Sequence, residues 1–169
     1  MMEPMNLVAE PLAADRFAPF GDVLHLPHAA GRTYFDRALV NLRPSARPSL
    51  SLSRKEELSL LPLAVLQMER HEFSSQSFVP IDVGRWLVVV APHAPGGGPD
   101  MAAARAFLAG PDHGVTYRAN VWHHPLTILD RAASFVVFMW LEGGKGDEEF
   151  CALAAPVMIV AARPCGGPT

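Results

Sequence analysis

Two stretches of this chain gather side chains able to move protons or hold a metal. The first reads Glu69-Arg70-His71-Glu72-Phe73-Ser74-Ser75-Gln76-Ser77-Phe78-Val79-Pro80, the second Gly114-Val115-Thr116-Tyr117-Arg118-Ala119-Asn120-Val121-Trp122-His123-His124-Pro125-Leu126. Both carry a strand-like pattern. Residues two apart on a strand share a face, so Glu69 and His71 point the same way. Two such stretches facing each other across a β-barrel would line one small-molecule pocket.

Gln76 lies five residues past His71, and a bend at Ser74-Ser75 would swing it back towards Glu69 and His71. A carboxylate, an imidazole and an amide suit metal ligation, or the binding and protonation of a polar substrate. The plainer alternative is a surface strand whose opposite faces are solvated by Glu69 and Arg70. In the second stretch adjacent strand residues face opposite ways, so one of His123 and His124 enters a given pocket. His123 is the one expected inside, beside Trp122, while Pro125 pushes His124 towards an extended backbone. Arg70 and Arg118 adjoin the stretches and have the planar guanidinium that clamps a carboxylate, although an exposed ion pair is the commoner fate of an arginine. Tyr34, Asp36, Ser53 and Tyr117 offer polar tips to a pocket or to structure alike.

Other chemistries find little support. Gly96-Gly97-Gly98 lacks the Gly-Lys-Ser/Thr ending of a phosphate loop and reads as a flexible hairpin or lid. Cys151 sits in an apolar segment and Cys165 in the tail, and no serine has the context of a nucleophile elbow.

The elements that must position these groups are short strands. Half of the 169 residues are hydrophobic and only 18% are charged, against roughly 25% in soluble proteins, which points to one compact domain with an apolar subunit interface. Strands are expected at Leu39–Pro44, Ser49–Arg54, Leu63–Arg70, Ser75–Pro80, Trp86–Pro92, Val115–Tyr117, Leu126–Asp130 and Ser134–Leu141. The alternating Ser-Leu pattern of Ser49–Arg54 predicts one buried face. Asp15 is placed to cap a turn of helix before Phe17. Asp100–Ala109 is the best candidate helix, capped by Asp100, with strand over Arg105–Leu108 as the alternative. With 16 Pro and 13 Gly punctuating the rest, the pattern is that of an all-β sandwich or barrel.

Net charge −3, pI about 6.1 and no basic cluster beyond Arg54-Lys55 argue against nucleic acid. The apolar run Trp86–Ala91 is too short to span a bilayer, and Met1-Met2-Glu3-Pro4 does not open a signal peptide. With two cysteines and no export signal, the expected compartment is the cytoplasm.

The chain resembles the ureidoglycolate lyases (formerly ureidoglycolate hydrolases), a branch of the cupin superfamily. The resemblance runs from about Leu7 to Gly144. It rests on Phe20-Gly21-Asp22-Val23, on Tyr34 and Asp36, on Glu69-Arg70-His71 with Gln76, Phe78 and Pro80, and on Asn120 with Trp122-His123-His124-Pro125. It implies a single cupin-type double-stranded β-helix barrel over residues 1–169 with few short helices, usually dimeric. The implied reaction splits (S)-ureidoglycolate into glyoxylate and urea in allantoin breakdown. It also implies His71, His123 and Glu69 as the acid/base groups, with Arg70, Gln76, Tyr117, Arg118, Asn120, Tyr34 and Asp36 around the substrate. Glu69, His71, Gln76 and His123 stand where ordinary cupins place metal ligands. A divalent metal such as nickel and a metal-free pocket both stay open, because a neutral Gln is a poor ligand.

Two departures stand out. The segment Glu142-Gly143-Gly144-Lys145-Gly146-Asp147-Glu148-Glu149 keeps Asp147 in altered charged surroundings, which bears on substrate preference if that strand end borders the pocket. Residues from about 154 to 169 read as a C-terminal extension with a frayed end. A cupin that binds a small acid or metal without lyase activity, or one acting on a sugar or keto acid, would share the barrel.

Overall fold

The computed structural model describes residues 5–163. The strands in chain order are β1 (Met5–Pro11), β2 (Gly21–His25), β3 (Arg47–Lys55), β4 (Leu63–Arg70), β5 (Gln76–Asp82), β6 (Trp86–Ala91), β7 (Arg105–Ala109), β8 (His113–Tyr117), β9 (Trp122–His123), β10 (Thr127–Ile128), β11 (Ala133–Leu141) and β12 (Glu149–Ala161), with one α-helix, α1 (Ala14–Phe17), after β1. They form two sheets. In the larger, β6, β7, β1, β12, β4 and β9 pair in that order and β9 closes back onto β6, so the ring has no free edge; β10 hangs on β6. The smaller sheet runs β2-β8-β5-β11-β3. This is the all-β, cupin-type barrel that the resemblance implied, with only one short α-helix among the described residues.

β6 shows how the two layers share a wall. Its six residues are all buried. Leu87, Val89 and Ala91 join Val65, Met68, Trp122 and Ile159 inside the ring. Trp86, Val88 and Val90 turn the other way and pack with Phe78, Phe107, Val115, Tyr117 and Phe135 between the sheets. A strand covered on both faces reads as an unbroken apolar run rather than an alternation. Gly21 starts β2 because the strands crowd there: a Cβ would sit 1.8 Å from the Thr116 carbonyl oxygen.

Several expectations are corrected. Asp100 accepts from the Ala102 amide as a cap should, but it caps only a 3₁₀ turn, Met101–Ala103. The residues that follow are β7, the alternative reading, because β6 and β1 both claim their backbone groups. Leu39–Pro44 is an irregular segment with a single bridge from Asn41 to Ser74. Asp15 lies within α1, and Ala13 occupies the cap position without a side-chain bond. The Ser-Leu alternation of β3 does make a strand, yet its leucines face outward, Leu50 and Leu52 being 72% and 76% exposed. β12 runs through Ala161, and after a break in register its residues 157–161 pair with β1 and 157–159 with β4. The frayed end expected at Arg163–Thr169 falls, from residue 164 on, outside the described residues, as does Cys165; Cys151 is a free thiol.

Candidate active site

Each motif stretch contributes a strand to both sheets, so the two stretches run side by side in each sheet and meet across the space between them. β4 and β9 are antiparallel neighbours with Glu69 opposite His123. Directly opposed residues of such a pair share a face, which brings the carboxylate within 3.2 Å of His123 Nε2. The facing wall is the smaller sheet, whose β5 and β8 carry Gln76 and Tyr117 opposite one another. The site therefore sits between the sheets, where β4 leaves the ring.

Glu69, His71 and His123 offer ligand atoms that all lie within 4.8 Å of one another. Gln76 Oε1 is 3.1 Å from His123 Nε2, and the Gln76 amide nitrogen donates towards Met139 Sδ at 3.6 Å. Tyr117 stacks on His123, and the His71 ring centroid is 5.4 Å from that of His123. His123 is 1% exposed, His71 5% and Gln76 8%. The bend expected at Ser74-Ser75 comes slightly earlier, as a turn at Glu72-Phe73. Ser75 anchors its exit, its Oγ accepting from the Val40 amide at 2.9 Å.

The tautomers follow from the partners. His71 Nδ1–H donates to the Asp147 carbonyl at 2.7 Å and His123 Nδ1–H to the Val121 carbonyl at 3.1 Å. His71 therefore turns a bare Nε2 lone pair inward, buried without a partner among the described residues, whereas His123 Nε2 lies 3.1 Å from Gln76 Oε1 and 3.2 Å from the Glu69 carboxylate, two acceptors that suit an Nε2–H donor. Two imidazole nitrogens, a carboxylate and an amide oxygen converge there. Such a set of acceptors holds a proton or a divalent cation. Burial, then the His123 charge, lowers the His71 pKa below 6.5. Burial also works to raise Glu69, but its hydrogen bond to His123 and the charges of His123 and His71 outweigh that and hold it below the usual carboxylate range. Tyr117 is raised by burial and by the Glu69 charge, so its phenol stays protonated.

The remaining sequence candidates divide. Arg70 projects to the opposite face of β4 from Glu69, into the ring. It pairs with Glu149 at 2.6 Å, donates to Asn120 Oδ1 and to His93 Nδ1, and lies over Trp122. Asn120 adopts φ +69° in the turn before β9, with its amide bonded to the His71 carbonyl. Arg70 and Asn120 thus brace the backbone that delivers His123. Arg118 follows Tyr117 at the end of β8 and is partly buried, with no side-chain bond among the described residues. Tyr34 is 68% exposed and shares a surface hollow with Asp36 and Arg37 along the β2 edge, apart from the site. His124 turns away and bonds Thr127 Oγ1 at 3.0 Å. Sequence reasoning missed His93, which accepts from Trp122 Nε1 at 3.0 Å, and it missed Arg43, which bonds Asp147 at 2.7 Å. No spacing rule links either of them to the two motif stretches.

Fold and site together define a cupin-type barrel with a buried imidazole–carboxylate–amide cluster. The model of the family described as ureidoglycolate lyase matches residues 4–160, and the chain belongs to that family. It is 40% identical over 144 residues to a ureidoglycolate lyase of Brucella melitensis biotype 2, covering 80% of this chain and 83% of that one. It is 34% identical over 172 residues to a ureidoglycolate lyase of Pseudomonas syringae pv. syringae, covering 96% and 99%. Among solved structures it is similar to a dTDP sugar isomerase of Desulfovibrio desulfuricans G20, with TM-score 0.45 at 14% identity over 80% of this chain and 84% of that one. The family match runs through residue 160, so nearly half of the segment read as an extension belongs to the family's own length.

Proposed function

We propose that this chain cleaves ureidoglycolate to glyoxylate and urea, with the chemistry carried by His71, His123 and Glu69. Membership of the ureidoglycolate lyase family supports the substrate. The observation that carries the mechanism is the unpartnered His71 Nε2 lone pair beside the His123–Glu69 pair.

Ureidoglycolate is a carbinolamine. A base removes the hydroxyl proton, the oxygen lone pair forms the aldehyde C=O, and the C–N electron pair leaves with the ureido nitrogen, which takes up a proton. The proton count closes, so one group can accept and return it or two can divide the work. His71, kept neutral by burial, is suited to accept the hydroxyl proton. His123, paired with Glu69 at 3.2 Å, is suited to deliver a proton to the nitrogen, with the carboxylate stabilising the imidazolium between steps. Gln76 faces the same space and holds the ureido group by its amide. With Arg70 and Asn120 engaged as braces, we assign the substrate carboxylate to Arg118, the guanidinium next to Tyr117.

The donor set also fits a divalent metal such as nickel, with Glu69, His71, His123 and the Gln76 oxygen as its ligands. Bound there, a metal would supply Lewis acidity to the substrate hydroxyl.

We also read the protein as a cytoplasmic homodimer. Leu50 and Leu52 of the edge strand β3 pair with Phe138 and Val136 of β11 on the outer sheet face, an apolar patch suited to a second copy. The free Cys151 thiol supports a reducing compartment. Urea release from racemic ureidoglycolate tests the activity, and its absence under both metal-loaded and metal-free conditions would overturn it. A Leu50→Glu, Leu52→Glu variant should run as a monomer by light scattering.

A further inference from the structure

The segment after β11 reaches back to the site through one backbone atom. The Asp147 carbonyl takes the Nδ1–H of His71 at 2.7 Å, and this is the only hydrogen bond of that ring among the described residues. The carbonyl sits in a span holding Gly143, Gly144 and Gly146, with Gly143 at φ +87°. Such a span has little stiffness of its own. Its rigidity comes from the Asp147 carboxylate. One oxygen accepts from the Glu142 amide at 2.9 Å and from Arg43 at 2.7 Å, the other from the Gly143 amide at 2.7 Å. Arg43 also pairs with Glu142 at 3.1 Å and lies over the Phe73 ring, two residues past His71. Its side chain is 12% exposed, so the guanidinium is held rather than dangling.

We propose that Arg43 and Asp147 form a positioning clamp that presses the Asp147 carbonyl onto His71 and so keeps the His71 Nε2 lone pair directed into the pocket. The two neutral tautomers of imidazole differ little in energy, and the hydrogen bond at one ring nitrogen decides which nitrogen is bare. Without the carbonyl, the proton can move to Nε2. The ring would then offer a donor where both a base and a metal ligand need a lone pair. Asp147 thus works twice: its carboxylate freezes the glycine-rich turn and its carbonyl sets the tautomer. Neither Arg43 nor Asp147 touches the reacting atoms. The role given to His71 Nε2 rests on the function proposed above.

The test uses metal-free, ¹⁵N-labelled full-length protein. Long-range ¹H–¹⁵N spectra report which His71 nitrogen bears hydrogen, alongside kcat and KM for urea release. Wild type should show Nδ1–H. Arg43→Met and Asp147→Asn should show mixed tautomers and a kcat lowered about 10- to 100-fold with KM little changed. Arg43→Lys should recover part of both. Lys145→Ala, exposed in the same turn, should match wild type in both. Retention of a pure Nδ1–H tautomer in Arg43→Met and Asp147→Asn overturns the clamp. Should Arg43→Met fail to fold, Asp147→Asn, which keeps the size of the side chain, decides alone. A wild type that releases no urea either metal-free or metal-loaded overturns the functional reading, while the tautomer comparison still decides the clamp.

Discussion

Tyr117 lies flat against His123, with ring centroids 4.2 Å apart and planes within 11° of parallel. Tyr117 is part of the apolar core between the sheets and His123 is the polar group at its end. The stack makes the hydrophobic core the back wall of the pocket, so packing sets the plane of a reactive ring. Tyr117→Phe keeps the stack and should retain most turnover. Tyr117→Ala should lower stability by about 3 kcal/mol and turnover with it, read by thermal melting and urea release.

Replacing His123 by Asn should cut turnover at least about a hundredfold, the scale of one lost acid/base group. The fold should survive, because the Val121 carbonyl that binds Nδ1 lies in a local turn. Near-normal turnover in a folded His123→Asn protein would remove this residue from the mechanism.

The two arginines should separate cleanly. Arg70 is bonded to half-exposed Glu149 and to Asn120 and His93, so Arg70→Met should cost about 1–3 kcal/mol, the scale of leaving buried hydrogen-bonding groups unpaired. Arg118 carries no such network among the described residues, and Arg118→Gln should raise KM with little change in melting temperature. An Arg118→Gln protein with unchanged KM would exclude it as the carboxylate clamp.

Stability should decline in mild acid. Burial lowers the pKa of His71 and of His124 below 6.5 in the folded chain. As pH falls below about 6.5 the unfolded chain therefore binds protons first, and the equilibrium shifts towards it. Glu69, lowered below 4.5, adds stability that is present above that pH and lost beneath it. Melting temperature should be level near neutrality and drop from about pH 6.5 to about pH 5. A level profile across that window would contradict the burial of neutral imidazoles.

Adding a divalent cation such as nickel to metal-free protein should raise the melting temperature, because a ligand that binds only the folded state stabilises it. The rise should vanish in a His71→Ala, His123→Ala double variant. A rise that persists there would place the ion elsewhere.

Much of this molecule is legible in its residue order because strand physics is local. The period-two pattern marked β4 at Leu63–Arg70, put Glu69 and His71 on one face, and separated His123 from His124. Asn120 is one of the few non-glycine residue types that tolerate its left-handed turn. What residue order could not hold is the partner of each strand. Arg105–Ala109 became β7 because β1 and β6 bond to it from both sides, against its helical spacing. The leucines of β3 face outward because β3 is an edge strand with no buried residue, paired so that Leu50 and Leu52 lie beside Phe138 and Val136. Arg70 left the pocket for the ring, and a backbone carbonyl from Asp147 came to His71. Backbone atoms are the same in every residue, so only the closure of the sheets determines which of them reaches a reactive ring.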